Sequence, residues 1–380
     1  MKPALFTPLQ LRELTLGNRI ACSPMTQYSA LDGTAQPWHW MHVGSFAVSG
    51  AGLVVLEGTA VEAAGRMTPG CLGLYSDENE AALARLVADV RTYAHTPLAI
   101  QLAHAGRKAS LQRPWDEVPS SPLPVEQGGW RGHGPTDVPF RPGAPPPVAL
   151  DEAGIKRVIQ SFRDGALRAE RCGFDLIELH GAHGFLLHSF VSPVSNTRTD
   201  GYGGSPEKRM RLPIEVAGAV RAVWPSHKPL GFRVTADDYI EGGLTIEDAV
   251  RLGHALKELG IDYIVPSVGL VSSDFKPPKP EPGYLVHFAE RIKREVGVPV
   301  MTVGMIVRPE QAEAIVAAGR ADLVGIGRAF MDDPRWGWHA AAALGTTPEI
   351  PRPYLRVAPK AWPGYRHARG DVAAETAVPR

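Results

Sequence analysis

Two histidines three residues apart, His180 and His183, carry the most chemistry in their placement. They stand in Glu178-Leu-His180-Gly-Ala-His183-Gly-Phe185, at the end of an apolar run, Phe174–Leu179, that reads as a buried strand. A strand ending this way presents two imidazole N–H donors at one mouth. Satisfied core histidines or a metal pair are the other readings, although metal-ligating helices favour i, i+4 spacing and no clear third ligand is visible. Just downstream, Ser192-Pro193-Val-Ser195-Asn196-Thr-Arg198-Thr-Asp200-Gly-Tyr202-Gly-Gly204 is polar, turn-rich and too specific in residue type for a casual loop. Together these segments point to an enzyme whose active site lies at the C-terminal ends of parallel strands.

The elements that must position them recur along the chain. Strand-like runs at 20–24, 52–57, 98–101, 174–179, 230–234, 262–267, 299–303 and 322–327 alternate with helical patterns at 38–49, 77–93, 151–171, 206–223, 245–259, 285–296 and 309–318. Eight strands with helical crossovers predict an α/β fold of the (β/α)8 TIM-barrel type rather than an open doubly wound sheet. Helix start signals agree: Asp151 before Glu152, Ser205-Pro206-Glu207, and Thr245 before Glu247-Asp248. Gly106 to Pro147, with Trp115, Trp130 and His133, is a Pro- and Gly-rich excursion after strand three. It either covers the catalytic face or is a packed surface loop. The expected organisation is one barrel domain over 1–356 and a partly disordered tail over 357–380.

The 380 residues suit one barrel with insertions, and an apolar fraction of 44% supports a large core. Lys+Arg and Asp+Glu both number 40, which argues against a nucleic-acid or polybasic membrane role. Cys22, Cys71 and Cys172 form no zinc or iron–sulfur spacing and fit a reducing compartment. With no apolar signal core and no run of bilayer length, the expectation is a soluble cytoplasmic protein without a bound metal.

In a barrel, the strand ends point into the catalytic mouth. Those ends offer Pro24, Met25, Thr26 and Tyr28, then Gly58, Gln101, His180 with His183, Arg233, Ser267, Gly304 and Gly327-Arg328. Glu57 and Glu178 lie inside their strands, so no carboxylate pair suits glycoside hydrolysis. The glycines of strands seven and eight let backbone N–H groups approach a phosphate, and Arg328 adds charge-assisted bonds. A phosphate handle beside amide, guanidinium, hydroxyl and imidazole groups implies a phosphorylated, flat, polar cofactor. FMN fits.

The chain resembles the old yellow enzyme family of flavin-dependent ene-reductases, and within it the thermophilic-like bacterial NADPH dehydrogenase branch. The likeness rests on Asn18-Arg19-Ile20 with Ser23-Pro24-Met25, on Gln101-Leu-Ala-His104-Ala-Gly-Arg107-Lys108, and on the His180–Gly184 and Ser192–Glu207 segments. It ends with Val303-Gly-Met305 and Gly327-Arg328, and covers roughly residues 5 to 356. The resemblance implies FMN over the barrel mouth, with NADPH or NADH as reductant. Ser23, Pro24, Met25, Thr26, Gly58, Gln101, Arg233, Gly304, Gly327 and Arg328 become the cofactor-binding set. Arg233 is expected beside flavin N1 and the C2 carbonyl, Gln101 along the pyrimidine edge, and Thr26 with Gly58 on the N5/O4 side. His180 and His183 are expected to donate to the carbonyl or nitro oxygen of an enone or nitroalkene.

Two positions depart from that branch. Thr26 stands where a cysteine is common. Phe185 stands where a tyrosine is the expected proton donor, which leaves Tyr28, water or a neighbouring chain for that task. Arg356 matches an arginine that reaches into the partner subunit's site, implying a homodimer or dimer-based tetramer. Three competing functions remain. Dienoyl-CoA reductase and amine dehydrogenase relatives call for further domains and a cysteine cluster. A tRNA dihydrouridine synthase-like barrel calls for a basic face and a catalytic cysteine. A metal-dependent hydrolase would be built on His180 and His183.

Overall fold

The structure, a computed structural model, describes residues 2–277 and 279–368. Its centre is an eight-stranded sheet: β1 Ile20–Cys22, β2 Leu53–Ala60, β3 Leu98–Ala103, β4 Leu176–Gly181, β5 Leu230–Asp237, β6 Tyr263–Val268, β7 Met301–Thr302 and β8 Leu323–Ile326. Sequence neighbours pair in parallel, and β8 returns to β1. A parallel bridge between Ile264 and Val300 joins β6 to β7 and closes the barrel. The strands read as near-continuous apolar runs because both faces are covered, by helices outside and packed side chains inside.

Three aspartates set the floor of the barrel. Asp175, Asp262 and Asp322 stand just before β4, β6 and β8. Each carboxylate accepts the backbone N–H at the start of the preceding strand region: Leu98 at 2.8 Å, Leu230 at 2.8 Å and Val300 at 3.0 Å. A cation partners each one, namely Arg91, Arg12 and Lys293. These bonds satisfy N–H groups that lack a partner below the strand, and so fix the stagger between strands. Arg12 lies at the tip of an antiparallel hairpin, Leu9–Leu11 with Leu14–Leu16, that closes the barrel floor. The sequence reading did not anticipate this hairpin, because each arm is only three residues long.

The outer helices start where their caps require. The Asp151 side chain accepts the Gly154 N–H ahead of Glu152–Arg171, and Thr245 forms a capping box with Asp248 ahead of Ile246–Glu258. The helix expected over 206–223 divides at Met210 into Pro206–Arg209 and Arg211–Arg221. Strands β2, β3, β4 and β5 run two or three residues beyond their expected ends, and Gly58, Gln101 and Arg233 sit on strands inside the upper barrel rather than at its rim.

The excursion after β3 folds back over the top. Arg107 donates to the carbonyls of Val138, Pro139 and Val271, and Arg198 donates to those of Pro135 and Leu150. The polar segment Ser192–Gly204 is therefore a clasp. Asn196 donates to Phe190 O and Tyr202 O, and Ser195 O accepts from Thr136. Its unusual composition serves backbone satisfaction rather than chemistry. The tail contains a helical turn at Arg352–Val357 and a short helix at Tyr365–Ala368. Of the tail expected to be partly disordered over 357–380, residues 369–380 lie outside the described residues. Among those residues, no helix is long and apolar enough to cross a membrane.

Candidate active site

A tight turn builds the upper end of β4. His180 is the penultimate strand residue and lies in register with Arg233 of β5. The chain then turns through left-handed backbone at His183 (φ 59°) and Gly184 (φ 74°). A Cβ at Gly184 would lie 2.1 Å from the Leu270 carbonyl oxygen, so only glycine fits. His188 holds this turn from below. Its Nδ1 accepts the Gly184 N–H at 2.8 Å, which places its proton on Nε2, 2.9 Å from the Asp238 carboxylate. Burial pushes Asp238 up, but the bonds from His188, Ser192 and Leu244 outweigh it and leave the carboxyl below its usual range.

The turn brings the two histidines together. His180 Nδ1 accepts the Ala182 N–H at 3.2 Å, so the His180 proton resides on Nε2. That Nε2 faces His183 Nδ1 at 3.3 Å, and His183 Nε2 meets the Ser267 hydroxyl at 2.5 Å. Burial, reinforced by the charge of Arg233, pushes both imidazoles well below their ordinary range and keeps them neutral at neutral pH. The Phe185 ring stacks on His180 with centroids 4.5 Å apart, and Lys108 Nζ donates to the His183 carbonyl at 2.9 Å. The expected pair of converging ring nitrogens is thus present.

Beneath it lies a buried polar layer. Gln101 Nε2 donates to Glu178 at 2.6 Å and the Tyr263 hydroxyl donates to the other carboxylate oxygen at 3.0 Å. A Cβ at Gly231 would fall 2.1 Å from the Tyr263 ring, so this glycine gives Tyr263 its place. Burial pushes Glu178 up against the pull of Arg233, Gln101 and Tyr263. Since its amide nitrogen serves Glu178, Gln101 turns its oxygen toward Gly58, where a Cβ would lie 3.4 Å from it and 4.0 Å from His180. Arg233 Nε is buried with no hydrogen-bond partner among the described residues. A flat heterocycle with acceptors on one edge and an N–H beside them answers both groups, so the residues present fit FMN.

The remaining candidates are spread around the rim. Ser23 is buried, and its N–H bonds Ile326 O across β1 and β8. Pro24, Met25 and Thr26 follow it, partly exposed. Gly304 has φ 107°, and Gly327 opens a short turn in which Arg328 is exposed. Tyr28 (φ 51°) sets its ring edge-on to Trp115 at 5.6 Å, and burial with Cys71 and Glu57 nearby pushes its phenol up to about 12. Arg356 is exposed on the helical turn Arg352–Val357.

Sequence reasoning missed the roles of Lys108, Glu178, His188, Tyr263 and Asp238. Lys108 alone carried a signal, as the last residue of the segment running from Gln101. A separate group, Glu62, His104 and His133, brings possible ligand atoms within 4.8 Å of one another. However, His104 Nδ1 accepts the Gly106 N–H at 3.0 Å, which leaves a proton, not a lone pair, on the nitrogen facing Glu62. Metal-bound histidines show the opposite arrangement.

Comparison with known proteins agrees with this geometry. The sequence model of the NADH:flavin oxidoreductase / NADH oxidase family matches residues 4–346. An NADPH dehydrogenase of Geobacillus thermodenitrificans is 41% identical over 360 residues, covering 94% of this chain and 99% of the relative. One of Bacillus pumilus is 43% identical over 362 residues, with 94% and 99% covered. Among solved structures, morphinone reductase in complex with tetrahydroNAD superposes with a TM-score of 0.73 at 28% identity, covering 93% of each chain.

Proposed function

The chain belongs to the NADH:flavin oxidoreductase / NADH oxidase family, as an FMN-dependent oxidoreductase of old yellow enzyme type, and on that premise we propose that it reduces the activated C=C bond of α,β-unsaturated carbonyl or nitro compounds. The observation that carries this reading is the convergence of His180 Nε2 and His183 Nδ1, both neutral, beside Arg233, whose buried Nε has no hydrogen-bond partner among the described residues. Family membership sets aside the hydrolase built on the two histidines.

The cofactor set is Ser23, Pro24, Met25, Thr26, Gly58, Gln101, Arg233, Gly304, Gly327 and Arg328. FMN held there would supply the hydride chemistry between NADPH or NADH and the alkene. Arg233 places a fixed cation where negative charge builds on reduction. Gln101 offers its oxygen to an N–H, and Glu178 with Tyr263 holds that amide in orientation. His180 and His183 donate to the single carbonyl or nitro oxygen that activates the alkene. Charge grows on that oxygen as the β-carbon is reduced, so two preorganised donors stabilise the transition state more than the ground state. Neutral imidazoles suit this task, since each gives a hydrogen bond without surrendering its proton. Phe185, stacked on His180, and Tyr28 are assigned to the substrate side with them.

A homodimer, or a dimer-based tetramer, fits the surface. Trp38 and Met41 on the helix Pro37–Ala47, and Tyr354 and Leu355 beside Arg356, are exposed apolar groups. Their burial between copies would let Arg356 enter the partner subunit's site. A cytoplasmic location is the setting that three buried free thiols suit.

The direct test is anaerobic turnover. Purified protein should be yellow, bleach on addition of NADPH, and regain colour with 2-cyclohexenone, a maleimide or a nitroalkene, giving the saturated product. Protein that bleaches with NADPH but is reoxidised by none of these acceptors would refute the substrate class while leaving the flavin assignment intact.

A further inference from the structure

Reduction of a C=C bond consumes a proton as well as a hydride. We propose, on the basis of the ene-reduction reading above, that Lys108 is the catalytic acid that protonates the substrate α-carbon. The groups around the oxygen-binding pair leave few other sources. His180 and His183 each carry one N–H, and both are committed to the substrate oxygen. The Ser267 hydroxyl is engaged by His183 at 2.5 Å. Phe185 stacks on His180 and has no transferable proton. Tyr28 turns toward Trp115, and a phenol held near 12 is a weak acid at neutral pH.

Lys108 meets the requirements that these groups fail. Its Nζ lies 2.9 Å from the His183 carbonyl oxygen, 4.8 Å from the Phe140 centroid and 5.9 Å from the Phe185 centroid. The ammonium therefore stands on the Phe185 side of the histidine pair. Only one of its three hydrogens is used by His183. The groups around it are the Arg107 cation on its own segment, the two neutral imidazoles of the β4 turn, and the two aromatic rings. Burial, with Arg107 adding repulsion, pushes Lys108 down to about 8, close to the pH at which an acid works best.

The step balances simply. Hydride forms the C–H bond at the β-carbon, and the π pair moves onto the α-carbon and its activating oxygen. That pair then forms the second C–H bond with a proton from Nζ, and the N–H bonding electrons stay on nitrogen. The neutral amine recovers a proton from water, and the reductant is the NADPH of the parent reaction.

The test combines Lys108→Met, Lys108→Arg, Phe185→Tyr and the Lys108→Met/Phe185→Tyr double variant, all in flavin-loaded enzyme. Stopped-flow reoxidation by 2-cyclohexenone should slow by about 10²-fold in Lys108→Met, the usual effect of losing a positioned acid, while bleaching by NADPH changes far less. Lys108→Arg keeps a donor for His183 O but does not release a proton, so it should be equally slow. A tyrosine at 185 should restore much of the rate in the double variant, and the wild-type decline in rate above about pH 8 should vanish in Lys108→Met. In the wild type, 13C-labelled lysine NMR should show one side chain titrating near 8 rather than at the ordinary ~10.4. Wild-type speed in Lys108→Arg would reduce Lys108 to a prop for His183, as would weaker phenol binding with no rescue by tyrosine. A Lys108 signal that titrates normally would also overturn the proposal. Wild-type enzyme that reduces no activated alkene would remove the parent reading first, a result separable from all of these.

Discussion

His183 Nε2 stands 2.5 Å from the Ser267 hydroxyl, a partner that can meet either tautomer of His183. The His180 proton is fixed on Nε2 by the Ala182 N–H. For both rings to donate to one oxygen, His183 must carry its proton on Nδ1, and its Nε2 must then accept from Ser267. A hydroxyl can turn from acceptor to donor, so Ser267 supports the tautomer that the substrate requires.

Ser267→Ala should therefore weaken oxygen recognition without disturbing the flavin. We expect binding of a phenol such as 4-hydroxybenzaldehyde to fall by about tenfold, the cost of one typical hydrogen bond, with the flavin spectrum unchanged. 15N NMR of labelled histidine should show loss of a single His183 tautomer in the complex. Unaltered phenol affinity and tautomer would show that Ser267 is a bystander.

Replacing His180 and His183 together by Ala should cost ~3 kcal/mol or more of transition-state stabilisation, the scale of lost oxyanion donors. The loss should appear in flavin reoxidation by an enone and much less in flavin reduction by NADPH. Equal losses in both half-reactions would mean that the pair positions the flavin instead.

Arg233→Ala should lower FMN retention or make its reduction potential more negative. It also removes the cation whose charge opposes the upward push of burial on Glu178, so some loss of stability should accompany it. Arg233→Lys separates the two effects, since it keeps a charge near Glu178 but loses the planar donor fork. Flavin content and potential that match wild type in both variants would place the cofactor elsewhere.

Stability should fall as pH drops below the ordinary histidine range. His180 and His183 are pushed well below 6.5, and burial takes His42 down to about 4. Their folded pKa values lie below the unfolded ones, so the unfolded chain binds more protons between about 6.5 and 4. Stability is then fully present above 6.5 and is lost progressively as pH falls through that window. Urea unfolding at pH 7.5, 6 and 5 checks this, and the His180→Asn/His183→Asn variant should give a shallower slope. An identical slope in that variant would assign the loss to other groups.

The sequence by itself determined the periodicities and the local punctuation. Eight apolar runs separated by amphipathic stretches are legible because a strand buried on both faces must be apolar along its length. Asp151, Ser205 and Thr245 marked helix starts because a cap acts within three residues of itself. His180 and His183 were visible as a pair for the same reason of proximity. Strand ends were misjudged at β2, β3, β4 and β5, at three of them because the runs continue through residues such as Gly58, His180 and Asp237, whose types do not signal a strand. Only the closed barrel decided which distant groups meet: Ser267 with His183, Tyr263 and Gln101 with Glu178, Lys108 with the His183 carbonyl. Those partners are 75 to 85 positions apart. Their encounter depends on the stagger between strands and on which residue of each pleat faces inward, and a shift of one residue would turn strand residues such as Gln101, Glu178, Tyr263 and Ser267 to the opposite face.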